Sequence, residues 1–276
     1  MLWNKNFSLL IVANVLLFMG VFMLFPMLEN VVGERWGCSF LSTAFIMMAF
    51  PLAMFVPGVF NNYLVDTFSR KHVCTRSIIL LAVCGVLYLY VPHLWTAVLL
   101  WILQGVCLGV ALMATGSTLV IDVTPSHKRN EANRIFSWAG LLGILGGFLL
   151  ECYGARYLSV EQRLYLSSAL CMASALLISM VSVSFRAPLD LPLCSFDRFL
   201  LFRTLLPGVN MLLGAFALGL MLSSVTAMEF VGMMAGCAVY LVVRQVGRKP
   251  MNGRLQILVG QVAVLFGIGL YLLLDG

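Results

Sequence analysis

The sequence predicts an all-α polytopic membrane protein, a helical bundle of about nine transmembrane helices. Three observations predict it. The chain is 62% hydrophobic and 10% charged, with a mean hydropathy of +1.02, whereas soluble domains carry about 25% charged residues. A surface that apolar needs lipid as its solvent. Nine apolar stretches recur along the chain, most of them near the roughly 20 residues that cross about 30 Å of hydrocarbon. The basic residues fall in alternate gaps between those stretches.

The stretches run 7–28, 39–63, 77–91, 96–120, 135–153, 164–185, 205–225, 228–243 and 255–274, the third and eighth being the shortest. Strands are excluded, because the runs are too long and lack period-2 alternation. Backbone groups in lipid must be satisfied within their own segment, which selects helices. The first stretch is too long for a signal sequence, and no small-residue cleavage site follows it. Few polar groups interrupt the spans: Asn14 in span 1, Gln104 in span 4, Asn210 in span 7 and Gln261 in span 9. Such groups are costly in lipid and face the bundle interior. There they either line a cavity or hydrogen-bond a neighbouring helix. In span 5, Gly140, Gly143 and Gly147 share one side, where missing side chains let another helix approach closely. That contact is either static packing or one that moves. The segment 186–204, "RAPLDLPLCSFDRFLLFRT", holds two Pro and five charges. It reads as a cytoplasmic linker between a six-helix bundle (1–185) and a partial bundle of three helices (205–276).

Orientation follows from Lys and Arg. With the N-terminus in the cytoplasm, 14 of the 17 basic residues lie inside; only Arg35, Arg156 and Arg163 lie outside. The net charge of +6 is then topological anchoring beside anionic lipid, not a nucleic-acid footprint. The expected place is the plasma (inner) membrane. The eight Cys form no CxxC pair. Cys84, Cys107, Cys171 and Cys237 read as small packing residues; a disulfide could join Cys38 and Cys152, both near the outer face. The three His are far apart, so no metal site is expected, and no cofactor. The chain has no HExxH, no GxSxG and no paired intramembrane Asp, so an enzyme is not expected.

The polar run "NNYLVDTFSRKH" (61–72) sits in the cytoplasmic turn after span 2. It resembles the signature loop of the major facilitator superfamily, Gly-x-x-x-Asp-Arg-x-Gly-Arg-Lys. Asp66 takes the Asp place, and Arg70 and Lys71 match the closing pair. Asn62, Thr67 and Ser69 replace the first Gly, the first Arg and the second Gly. "RQVGRK" (244–249), after span 8, is similar to the weaker second copy that this superfamily carries, and suggests a six-helix repeat. In span 4, Gln104-Gly105 match the family's Arg-x-x-x-Gly segment, with Trp101 where the Arg would stand. "DVTPSHKRNEANR" (122–134) resembles its Pro-x-x-x-Arg turn, and the glycines of span 5, with Gly146, its glycine-rich packing segment.

The resemblance implies a secondary transporter of a small solute, working by alternating access. Asp66, Arg70, Lys71 and Asp122 would form a cytoplasmic gate that latches the two halves shut in the outward-open state. For Arg70 and Lys71 the plainer reading is topological anchoring alone. Spans 1, 4 and 7 line the family's cavity, which singles out Asn14, Gln104 and Asn210, with Trp101 as an aromatic wall. No titratable residue is placed at mid-membrane, so proton coupling is not supported and the substrate is expected to be neutral or amphipathic. The family has twelve spans, and the resemblance stops after the ninth. A chain cut short is expected, with a completing chain for the missing spans left open as a partner. An inactive fragment or an accessory membrane protein is the alternative.

Overall fold

The computed structural model describes residues 2–183 and Val262. Expectations that rest on Asn210, Cys237, the linker 186–204, spans 7 to 9 and the second loop copy lie outside the described residues. The chain divides into one unit of Met1–Cys38 with Ala49–Ser195, and another of Ser39–Met48 with Phe196–Gly276. The packing contacts below are all within the first unit.

Among the described residues every element is helical. Helix α1 runs Lys5–Trp36. It starts where the Asn4 side chain accepts from the Phe7 N–H at 2.7 Å, satisfying one orphan donor of the first turn. It stops at Gly37, whose left-handed backbone (φ 60°) turns its N–H back to the Gly33 carbonyl. Helix α2 (Phe40–Ala53) does not reach residue 63 as one piece. A 3-10 turn (Val56–Phe60) intervenes before α3 (Asn61–Thr67). The break falls at Pro57-Gly58, where one residue lacks an N–H and the other resists helix.

Helix α4 (Arg70–Leu87) begins well before the apolar stretch at 77 and ends in a 3-10 turn, Tyr88–Tyr90. Helix α5 (Leu94–Ala114) passes through a π turn, Thr115–Leu119, into the short α6 (Val120–Asp122). After a 3-10 turn come α7 (Arg129–Tyr157) and α8 (Val160–Ser179), joined at Leu158-Ser159. Helix α8 opens on a capping box: Ser159 Oγ accepts from the Gln162 N–H, and Gln162 Oε1 accepts from the Ser159 N–H.

By length and composition, four described helices can cross a membrane: Lys5–Gly33, Arg70–Tyr90, Leu94–Ala114 and Ser126–Tyr157. Helix α1 packs against α7 and α8, and α4 against α8 and α5. The helix that approaches the glycine side of α7 is α1. A Cβ at Gly143 would lie 2.6 Å from the Val15 carbonyl oxygen, and one at Gly147 would meet the Met19 carbonyl. Hydroxyls tie α8 to α1: Ser167 donates to the Gly20 carbonyl and Ser174 to the Ala13 carbonyl, both at 2.7 Å. Tyr90, Trp95, Tyr153 and Tyr157 are exposed at one end of the unit, as aromatic rings at a membrane interface are. The Asp66 loop is at the other end. Cys38 and Cys152 are free thiols, so no disulfide joins them.

Candidate functional site

At the Asp66 end, helix termini collect charges whose positions are individually unfavourable. Asp66 sits in the last turn of α3 and Arg70 opens α4. A carboxylate at a helix C-terminus and a cation at an N-terminus both oppose the helix dipole. Phe68 and Ser69, which join the two helices, are extended, which folds the second terminus back onto the first. Arg70 Nη2 then meets Asp66 Oδ1 at 2.8 Å, and Arg70 Nη1 meets Asp122 Oδ2 at 2.8 Å. The guanidinium is thus forked between carboxylates from α3 and α6. Their surroundings differ: the Asp66 side chain is 33% exposed and the Asp122 side chain only 2%. Loss of the Arg70 pair is therefore costlier for Asp122 than for Asp66.

Lys71 turns the other way. Its ammonium donates to the carbonyls of Ser179 and Val181, both at 3.2 Å, at the end of α8. A cation there meets the negative end of the helix dipole. The start of α1 joins the same layer. Asn4 Nδ2 donates to the Val123 carbonyl at 3.0 Å. Asn6 Nδ2 donates to the Ser182 carbonyl at 3.0 Å, and Asn6 Oδ1 accepts from the Ser182 N–H at 3.1 Å. The chain matches the model of the Major Facilitator Superfamily over residues 10–276.

The chain belongs to the major facilitator superfamily. No individual curated protein matches its sequence. A member of this superfamily is a membrane transporter, and four of the described helices are long and apolar enough to cross a membrane. The structure brings Asp66, Arg70 and Asp122 together, whereas Lys71 engages the end of α8 instead. The other residues singled out in the sequence lie deeper and apart. Asn14 Nδ2 donates to the Phe136 carbonyl of α7 at 3.0 Å. Gln104 Nε2 donates to the Leu81 carbonyl of α4 at 3.2 Å. Each amide therefore links two helices. In each, the amide oxygen (Asn14 Oδ1, Gln104 Oε1) has no hydrogen-bond partner among the described residues. Trp101 is 2% exposed. Its ring packs against Phe25 (centroids 4.7 Å apart) and Phe50 (4.5 Å).

Sequence reading missed three participants. Asn4 and Asn6 were legible only as a polar lead-in to the first apolar stretch; their partners are more than 100 residues away. Glu151 is a buried acid inside span 5, and its carboxylate accepts from Arg163 at the start of α8. A lone acid within an apolar run was the available signal. Glu151 lies toward the Tyr90 end of α7, away from the mid-membrane level at which no titratable residue is expected.

Proposed function

We propose that the protein carries a small neutral or amphipathic solute across the plasma (inner) membrane by alternating access, with its N-terminus in the cytoplasm. The observation that carries this reading is the Arg70 fork, built on the loop whose residues resemble the family signature. The fork binds the loop between spans 2 and 3 to the end of span 4, so α3, α4 and α6 shift as one body. Asp66, Arg70, Lys71 and Asp122 are assigned to the cytoplasmic gate. Lys71 serves it by gripping the last carbonyls of α8.

Asn14, Trp101, Gln104 and Asn210 are assigned to the solute path, Asn210 on the resemblance alone. Asn14 and Gln104 support the assignment through carbonyl oxygens that have no hydrogen-bond partner among the described residues. A buried acceptor without a partner costs about 1–3 kcal/mol, and a solute N–H or O–H would relieve that cost. Trp101 supplies apolar surface. The test is uptake by the purified full chain in proteoliposomes, screened over labelled neutral and amphipathic solutes. Wild type should accumulate at least one solute above empty vesicles. Asp66→Asn should abolish that uptake with insertion intact; unchanged uptake removes the gate assignment.

A further inference from the structure

We propose that the chain holds a zwitterionic phospholipid with a primary ammonium headgroup, of the phosphatidylethanolamine class, in a groove at the Tyr90 end of the first unit. The groove encloses about 220 Å³ between the last turns of α1, the 3-10 turn after α4 and the first turn of α8. Leu28, Val31 and Leu164 form an apolar floor. Arg35 and Glu161, exposed and on different helices, stand at its rim. Among the described residues no ion pair joins these two charges. The Arg35 guanidinium lies over the Trp36 ring, 5.4 Å from its centroid.

The level of the groove fixes the kind of occupant. Exposed Tyr90, Trp95, Tyr153 and Tyr157 mark this end as the membrane interface, where the surrounding solvent is lipid headgroups above acyl chains. An acyl chain matches the apolar floor. A headgroup phosphate matches the planar fork of Arg35, which binds phosphate oxygens in pairs. That leaves Glu161, an anion beside an anionic lipid, which is repulsive unless the lipid also brings a cation. A primary ammonium brings that charge with three N–H donors. A choline headgroup brings charge without N–H donors, and a glycerol headgroup brings neither. Of these three headgroups, the ethanolamine type alone offers Arg35 a phosphate and Glu161 a cation that also donates hydrogen bonds.

The test equilibrates the full chain in vesicles of equal parts palmitoyl-oleoyl phosphatidylethanolamine, phosphatidylcholine and phosphatidylglycerol. It is then extracted in mild detergent, and the retained lipid is measured by mass spectrometry. Wild type should retain the ethanolamine lipid with about tenfold preference, the size of one charge-assisted hydrogen bond. Glu161→Gln should erase the preference while lipid is still retained. Arg35→Gln should cut retention of all three lipids about tenfold. Equal retention of the three by wild type, or a preference that survives Glu161→Gln, overturns the proposal; so does recovery of a peptide or a second copy on this face in place of lipid. Should Arg35→Gln fail to fold, displacement from wild type decides the matter. Glycerophosphoethanolamine must then compete better than glycerophosphocholine, and equal competition refutes the site.

Discussion

Replacing Arg70 by Gln removes a cation that two carboxylates share. Asp66, one-third exposed, regains water, and its part of the loss is that of a surface pair, about 0–1 kcal/mol. Asp122 cannot do the same, because its side chain is 2% exposed. Breaking a buried pair from one side costs about 3–5 kcal/mol, so more of the destabilisation should come through Asp122 than through Asp66. The double variant Arg70→Gln/Asp122→Asn replaces two charges by two neutral amides able to hydrogen-bond each other, and should recover at least about 2 kcal/mol. The same cycle with Asp66→Asn should recover less than about 1 kcal/mol. Unfolding of the full chain in lipid-detergent micelles, followed by tryptophan fluorescence, gives the four-cornered comparison. Equal coupling of Arg70 to Asp66 and to Asp122 would refute the assignment of Asp122 as the more deeply buried partner.

Gly143→Ala should abolish folded yield, because its Cβ would lie 2.6 Å from the Val15 carbonyl oxygen. Gly146→Ala should be mild, since its Cβ meets only the flexible Met19 side chain at 3.2 Å; size-exclusion recovery distinguishes the two. Arg163→Gln strands the buried Glu151 carboxylate and should lower thermal stability more than the double variant Arg163→Gln/Glu151→Gln does, in the same fluorescence assay. Ser159→Ala removes the cap of α8 and should cost about 1 kcal/mol, read as a fall in the melting midpoint. Lys71→Gln should loosen the α8 terminus and speed hydrogen exchange at 176–183, with little change at Asp66.

The class of fold was legible because lipid imposes it: a chain this apolar has only the helix available for its backbone. Helix ends were less legible. Hydropathy marks where a side chain meets hydrocarbon, whereas a helix continues until its backbone is capped or broken. So α1 runs past residue 28 to the left-handed Gly37, and α4 begins at Arg70 rather than at 77. The break between α2 and α3 was written in Pro57-Gly58, and apolarity hid it. Within the site, Asp66 and Arg70 are four residues apart, so their pairing is local. Asp122 reached the list because it ends span 4 on the same membrane face. Asn6 with Ser182, and Glu151 with Arg163, depend on which helices become neighbours. A single sequence does not state that order.

The π turn at Thr115–Leu119 bears directly on Asp122. One surplus residue in a helical turn advances everything beyond it by about 100° around the axis. Span 4 therefore reaches the loop end at an azimuth set by that surplus, with Asp122 aimed at Arg70. A chain shortened by one residue in 116–118 would regain an unbroken α ladder yet swing the carboxylate off its target. It should stay helical by circular dichroism while its Arg70–Asp122 coupling vanishes. The irregular turn thus works as a vernier, trading a few backbone hydrogen bonds for the bearing of one side chain.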